Sequence, residues 1–157
     1  MTVLAIDPGP TTSAAVLWDG ERVINAEDYA NADLLRILSR QEQADMLVIE
    51  QVVHYGTGMP AGAEVFDTVF WSGRFAQAFS SAGGTFDRLS RPKIKMHLCG
   101  SMRAKDPNIR QALIDRFGVV GTKKAPGRLF GISGHKWAAL AVAVTWWDLT
   151  CGKDNAA

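Results

Sequence analysis

The sequence predicts an α/β domain, a mixed sheet of five strands flanked by helices, and three observations point to it. The aliphatic runs Val3-Leu4-Ala5-Ile6 and Met46-Leu47-Val48-Ile49 have the pattern of short strands buried on both faces. Each run ends in a carboxylate, Asp7 and Glu50, and turn residues bound it. Beyond Asn31, stretches of helical periodicity alternate with the remaining strands, the order that layers helices on a sheet.

The elements follow in order. Residues 2–7 and 12–18 read as strands joined by Pro8-Gly9-Pro10, and Asp19-Gly20 turns the chain into a third strand over 22–25, an antiparallel meander. Asn31 is placed to cap a helix over 32–40, whose Leu34, Leu35 and Leu38 share a face. The strand over 45–50 then lies parallel to the first after a helical crossover. Residues 52–62 hold three glycines and a proline, a loop directly past Glu50 where ligand contacts concentrate. A long helix is predicted from about 61 to 81, with Val65, Val69, Ala76 and Phe79 among its apolar positions, ended by Gly83-Gly84. A short strand follows over 86–89. Lys93 and Lys95 alternate on a segment read as extended, so that both face one side.

Asp106 as cap and Pro107 in the first turn start a helix to Phe117, closed by Gly118. The Gly-, Lys- and Pro-rich segment 118–133 reads as a mobile loop. Ser133 is placed to cap a last helix over 134–149, with Trp137, Leu140, Ala141 and Val144 facing the core. Residues 1–150 thus form one expected domain, and 151–157 a short frayed tail.

Composition narrows the class. Of 157 residues 47% are hydrophobic, with five Trp and seven Phe, enough for one sizeable core. No stretch is long and clean enough to span a bilayer, and the start lacks a basic segment followed by an apolar one. Cys99 and Cys151 have no metal-ligand spacing and suit a reducing compartment, so the expectation is a cytoplasmic protein without a membrane partner. The net charge of +1 hides an asymmetry. Between Arg88 and Arg128 eleven Lys or Arg stand against two acids, a local +9, and the remainder carries −8. That concentration is the footprint of a phosphate-backbone contact, with a solvated helix face and basic loop as the simpler reading.

Asp7 and Glu50 belong at the rim of the sheet, where open α/β sheets place their ligands. Two acids brought together there repel unless a positive charge sits between them, and a divalent cation is the usual answer. Either acid taken singly is also consistent with a solvated strand end.

Five motifs in one order carry a resemblance. They are Ala5-Ile6-Asp7-Pro8-Gly9; Val48-Ile49-Glu50-Gln51-Val52; Ser72-Gly73-Arg74; Arg91-Pro92-Lys93-Ile94-Lys95 running on to Lys105 and Ile109-Arg110-Gln111; and His135 to Ala143. Together they resemble the RNase H-like superfamily and, within it, RuvC-type Holliday junction resolvases, particularly phage and prophage members, over nearly the whole chain.

The resemblance implies a crossover junction endodeoxyribonuclease that nicks four-way DNA junctions symmetrically as a homodimer. It implies one or two Mg²⁺ ions per subunit, with Mn²⁺ tolerated, held by Asp7, Glu50 and His135. Lys105 matches a family lysine near the scissile phosphate, where a fixed ammonium stabilises the transition state. Arg74, Lys93, Lys95, Arg103, Lys105, Arg110, Lys123 and Lys124 are candidate DNA contacts, as are Arg116 and Arg128, each of which is equally consistent with a plain solvated charge. Tyr55, beside His54, is placed to stack on a base opened at the junction centre. The rings Phe66, Phe70 and Trp71 form either a dimer face or core.

One position departs from the family. Ala138 falls where an acid is expected, three residues after His135. Either the site works with the remaining donors and water, or Glu64 or Asp67 supplies a carboxylate, or the protein binds branched DNA with little cleavage. The loop Asp7-Pro-Gly-Pro-Thr-Thr-Ser13 also resembles the phosphate loop of actin-like ATPases and sugar kinases, which close two such domains around a nucleotide. One domain of this size supplies half of that cleft, so no nucleotide cofactor is expected.

Overall fold

A computed structural model describes residues 1–40, 44–53 and 62–152. The predicted contact Tyr55 lies outside these residues, as do His54 and the end of the tail. The order is β1 (Val3–Asp7), β2 (Thr12–Trp18), β3 (Val23–Ala30), α1 (Asn31–Leu38), β4 (Met46–Gln51), α2 (Ala63–Ser81), β5 (Thr85–Ser90), α3 (Arg91–Cys99), α4 (Asp106–Phe117) and α5 (Lys136–Thr150).

The five strands form one mixed sheet in the order β3-β2-β1-β4-β5. β1–β2 and β2–β3 are antiparallel; β1–β4 and β4–β5 are parallel. Side chains alternate between two cores, as the two-residue period of a strand requires. Val3, Ala5 and Val48 face a core built with α5, α3 and α4, where Leu140, Val144, Ile94 and Leu113 are buried. Leu4, Ile6, Leu47 and Ile49 face the opposite core, with Leu34 and Leu38 of α1 and Phe75 and Phe79 of α2. α5 is buried from Ala139 to Trp146, and its alanines let the helix backbone lie close on the sheet.

Several local expectations change. Lys93 and Lys95 sit on helix α3 and not on an extended segment, because Arg91-Pro92 is a helix start, the proline occupying a first-turn position that needs no N–H. Gly100, at φ 68°, ends that helix in the left-handed conformation a glycine adopts without strain. The cap of α4 is Lys105, whose backbone N–H donates to Asn108 Oδ1 at 2.9 Å, and Asp106 is the first helical residue. His135 is the cap of α5, so Ser133 contributes only its carbonyl, which accepts from Lys136 N at 3.1 Å. The segment 118–133 carries no helix or strand but is anchored by Leu129 and Ile132, both buried, and by Val23 N donating to Arg128 O at 2.9 Å.

Asn31 does not cap α1; it closes the turn after Asp7. Ser13 Oγ donates to Asn31 Oδ1 at 2.7 Å and accepts from Gly9 N at 3.1 Å, while Asn31 Nδ2 donates to the Gly9 carbonyl at 2.9 Å. A side chain at Gly9 would come within 2.2 Å of the Thr12 carbonyl oxygen, so the tight turn needs glycine. Asn31→Ala leaves buried polar partners unpaired and is expected to cost about 1–3 kcal/mol in urea unfolding, at an unchanged m value.

A second polar tie joins the ends of three helices. Asp148 on α5 accepts from Arg116 Nη2 on α4 at 2.7 Å and pairs with His97 Nε2 on α3 at 2.7 Å. Burial alone would raise the Asp148 pKa, but its bonds to Arg116 and His97 outweigh burial and hold it below the ordinary value. A carboxylate with a lowered folded pKa stabilises above its unfolded pKa, and the contribution is lost as pH falls through the folded value. Asp148→Asn is therefore expected to lower Tm at pH 7, with the difference from the parent closing below about pH 4. Melting curves across that range check it.

Candidate active site

Strand pairing alone brings the two acids together. β1 and β4 are parallel neighbours, with Ile6 opposite Ile49, so Asp7 and Glu50 follow as adjacent strand ends. Both fall on the face toward α3, α4 and α5, because Asp7 shares its parity with Ala5 and Glu50 with Val48. β5 lies beside β4 with Gln51 opposite Ser90, so the first residue of α3, Arg91, emerges next to Glu50. Asp106 at the start of α4 and His135 at the start of α5 complete the rim. Three helix N-termini thus open onto one cleft of about 590 Å³, which their dipoles make receptive to anions.

The predicted trio Asp7, Glu50 and His135 all line this cleft. His135 Nδ1 lies 3.7 Å from Asp7 Oδ2, and its side chain is 88% exposed. Glu50 points at Arg91, whose Nη1 donates to both carboxylate oxygens, at 3.3 and 3.2 Å, while Nη2 pairs with Asp106. Burial first, and the Glu50 charge second, push the Asp7 carboxyl up to about 7, with His135 and Arg91 pulling the other way. Burial also raises Glu50, opposed chiefly by Arg91.

Arg91 and Asp106 were not read as site residues from the sequence. The signal was present: each precedes a proline and begins a helix that starts at this rim, but only the packing of α3 against α4 brings the two starts together. Ala138 lies on the cleft wall and offers no donor. Of the two carboxylates considered as its replacement, Glu64 lines an adjoining cleft with Asp7 and Glu50, whereas Asp67 lines neither cleft.

The basic residues divide by position. Arg110 lines the cleft with its guanidinium 5.0 Å from the Trp137 ring centroid, so Trp137 is a wall residue as well as a core neighbour. Lys95 is half-buried, and its charge acts on Glu50. Lys105 is exposed and is not part of the cleft wall, although it adjoins Asp106. Lys93, Arg103, Lys123 and Lys124 are exposed and outside the cleft wall. Arg116 is engaged by Asp148, and Arg128 lines a separate groove beside β3. Arg74 lies on α2, on the far side of the sheet, stacked 4.4 Å from the Trp71 ring centroid.

Among the described residues no three of His, Cys, Asp and Glu stand close enough to hold one ion together, since Glu50 is turned to Arg91. The donor chemistry still suits one hard cation. Mg²⁺ keeps several waters and needs only one or two carboxylates, and Asp7 and Glu50 are partly buried acids at adjacent strand ends. For a second ion the described residues add Glu64, which lines the adjoining cleft with Asp7 and Glu50. In metal-free buffer, Asp7 carries stability that is present below its unfolded pKa and lost as pH rises through about 7. Asp7→Asn is accordingly expected to raise Tm above the parent at pH 8, with the gain shrinking toward pH 4, when melts are run with a chelator.

No protein-family model and no curated protein sequence matches the chain. Solved structures do, among them two of RuvC. The structure of RuvC from Thermus thermophilus aligns over 97% of both chains with a TM-score of 0.70 at 21% identity. The same protein in complex with a Holliday junction substrate aligns over 92% of both chains with a TM-score of 0.69 at 20% identity. The mixed sheet in the order β3-β2-β1-β4-β5, with helices on both faces, is the RuvC version of the RNase H-like fold.

Proposed function

We propose that this chain is a divalent-metal-dependent endonuclease that nicks four-way DNA junctions symmetrically as a homodimer. The observation that carries the reading is the parallel β1–β4 pairing, which sets Asp7 beside Glu50 with His135 3.7 Å from Asp7. Support also comes from the fold, because Thermus thermophilus RuvC has been solved on a Holliday junction substrate.

Asp7 and Glu50 would hold the ion from the two strand ends with waters completing its shell, and His135 would join them only by turning its exposed ring from its place beside Asp7 at the start of α5. When bound, Mg²⁺ or Mn²⁺ supplies Lewis-acid charge at the scissile phosphate. The chain's own residues do the rest. The N-termini of α3, α4 and α5 receive the phosphate, and Arg110 and Lys105 flank the cleft as backbone contacts. Lys93, Arg103, Lys123 and Lys124 extend that basic surface along the DNA.

Two nicks placed symmetrically need two sites. Phe66 and Phe70 on α2 are 65% and 62% exposed, so these two rings are not core and with Val69 suit a dimer face, whereas Trp71 packs against the core of Phe75 and Phe79. No helix among the described residues is long and apolar enough to cross a membrane.

A second reading, a branched-DNA binder with little cleavage, is favoured by Ala138 on the cleft wall and by Arg91 covering Glu50. A synthetic four-way junction decides between them. With Mg²⁺ or Mn²⁺ the parent is expected to nick opposing strands at matching positions. Asp7→Asn is expected to reduce the rate at least about 10³-fold, equivalent to roughly 4 kcal/mol, with junction affinity retained. Tight junction binding without nicking selects the binder. Equal affinity for linear duplex overturns structure selectivity.

A further inference from the structure

We infer that Arg91 is a built-in cation that takes the place of a second divalent ion, so that each subunit loads one. This rests on the metal-dependent reading above and names how the site balances its charge.

The geometry is specific. Arg91 is the first residue of α3, set beside Glu50 by the β4–β5 register, and its guanidinium spans Glu50 on one side and Asp106 on the other. A planar fork with two carboxylates is the arrangement in which arginine outperforms lysine, and the guanidinium keeps its charge at every working pH. Its side chain is 27% exposed and that of Glu50 is 12% exposed, so the pair is shielded from competing ions in solvent.

Charge balance points the same way. Asp7, Glu50 and Asp106 bring three negative charges to the cleft; Arg91 returns one from between two of them, and Arg110, stacked on Trp137, a second. One divalent ion more than balances what remains. Two ions would leave the cleft with a surplus of positive charge and too few ligands while Arg91 occupies Glu50 and Asp106, since Ala138 offers no further carboxylate where the last helix meets the cleft.

The test counts ions and does not depend on cleavage. Mn²⁺ is titrated into the full chain at pH 8 and free Mn²⁺ is read by electron paramagnetic resonance. The parent is expected to bind one Mn²⁺ per chain. Arg91→Gln, which keeps much of the side-chain stem without the charge, is expected to bind two, and Arg91→Lys to stay at one. Asp106→Asn alters a mostly exposed carboxylate and leaves the core intact. It is expected to weaken the single site at least fivefold, so an Arg91→Gln chain that fails to fold does not end the test. Two ions on the parent, one ion of unchanged affinity on folded Arg91→Gln, or unchanged affinity in Asp106→Asn overturns the inference. Failure of the metal reading looks different: the parent binds no Mn²⁺, or Asp7→Asn binds it as the parent does.

Discussion

Two carboxylates are forced together at the rim of a buried parallel strand pair, and much of the surrounding architecture answers that repulsion. β1 and β4 are hydrophobic on both faces, so their register is set by core packing and cannot slip to separate Asp7 from Glu50. Burial then raises the cost of both charges, which is why Asp7 moves up to about 7. The compensating groups all come from one side: a guanidinium, an imidazole and three helix N-termini, delivered by α3, α4 and α5.

The polarity of those helices ties fold to chemistry. Each begins at the cleft, so the positive end of each helix dipole faces the place where a phosphate would approach. Elements far from the cleft hold this arrangement in place. Asn31 and Ser13 tie the turn that follows Asp7, and Asp148 joins the far end of α5 to α3 and α4. The wall itself mixes charge with an aromatic surface, since Arg110 stacks on Trp137 at the mouth. An extended basic surface and a charged, partly apolar cleft are the two properties that contact with a branched polyanion requires.

Arg91 changes how the acidic site is understood. With a mobile divalent ion alone, Glu50 would stand as an open ligand. With the guanidinium on both its oxygens, Glu50 is a shared carboxylate whose availability depends on how firmly Asp106 holds the other end of the fork. A permanent cation lowers the electrostatic cost of folding the site empty. It also opposes further positive charge there, so the stability of the site and the proposed ion loading would be coupled through one side chain.

Much of the architecture was legible in the sequence because local patterns specify it. Aliphatic runs of strand length, glycine and proline punctuation and the Asp7 and Glu50 termini were enough for the sheet, the crossover and the pairing of the two acids. His135 was singled out through the resemblance of the last helix to RuvC-type sequences, since a histidine at a helix start is by itself an ordinary cap. What the sequence left undetermined depends on side chains meeting across elements. Lys93 and Lys95 looked extended because alternation over three residues cannot distinguish a strand from a helix opening at a proline. Asn31 looked like a cap because its local context fits one, and only the approach of the turn after β1 recruits it elsewhere. Arg91 and Asp106 lie fifteen residues apart and on different helices, so no local period links them. The local chain determined which charges reach the rim, and tertiary packing alone decided which of them neutralise one another, because that depends on distances through space that no sequence spacing encodes.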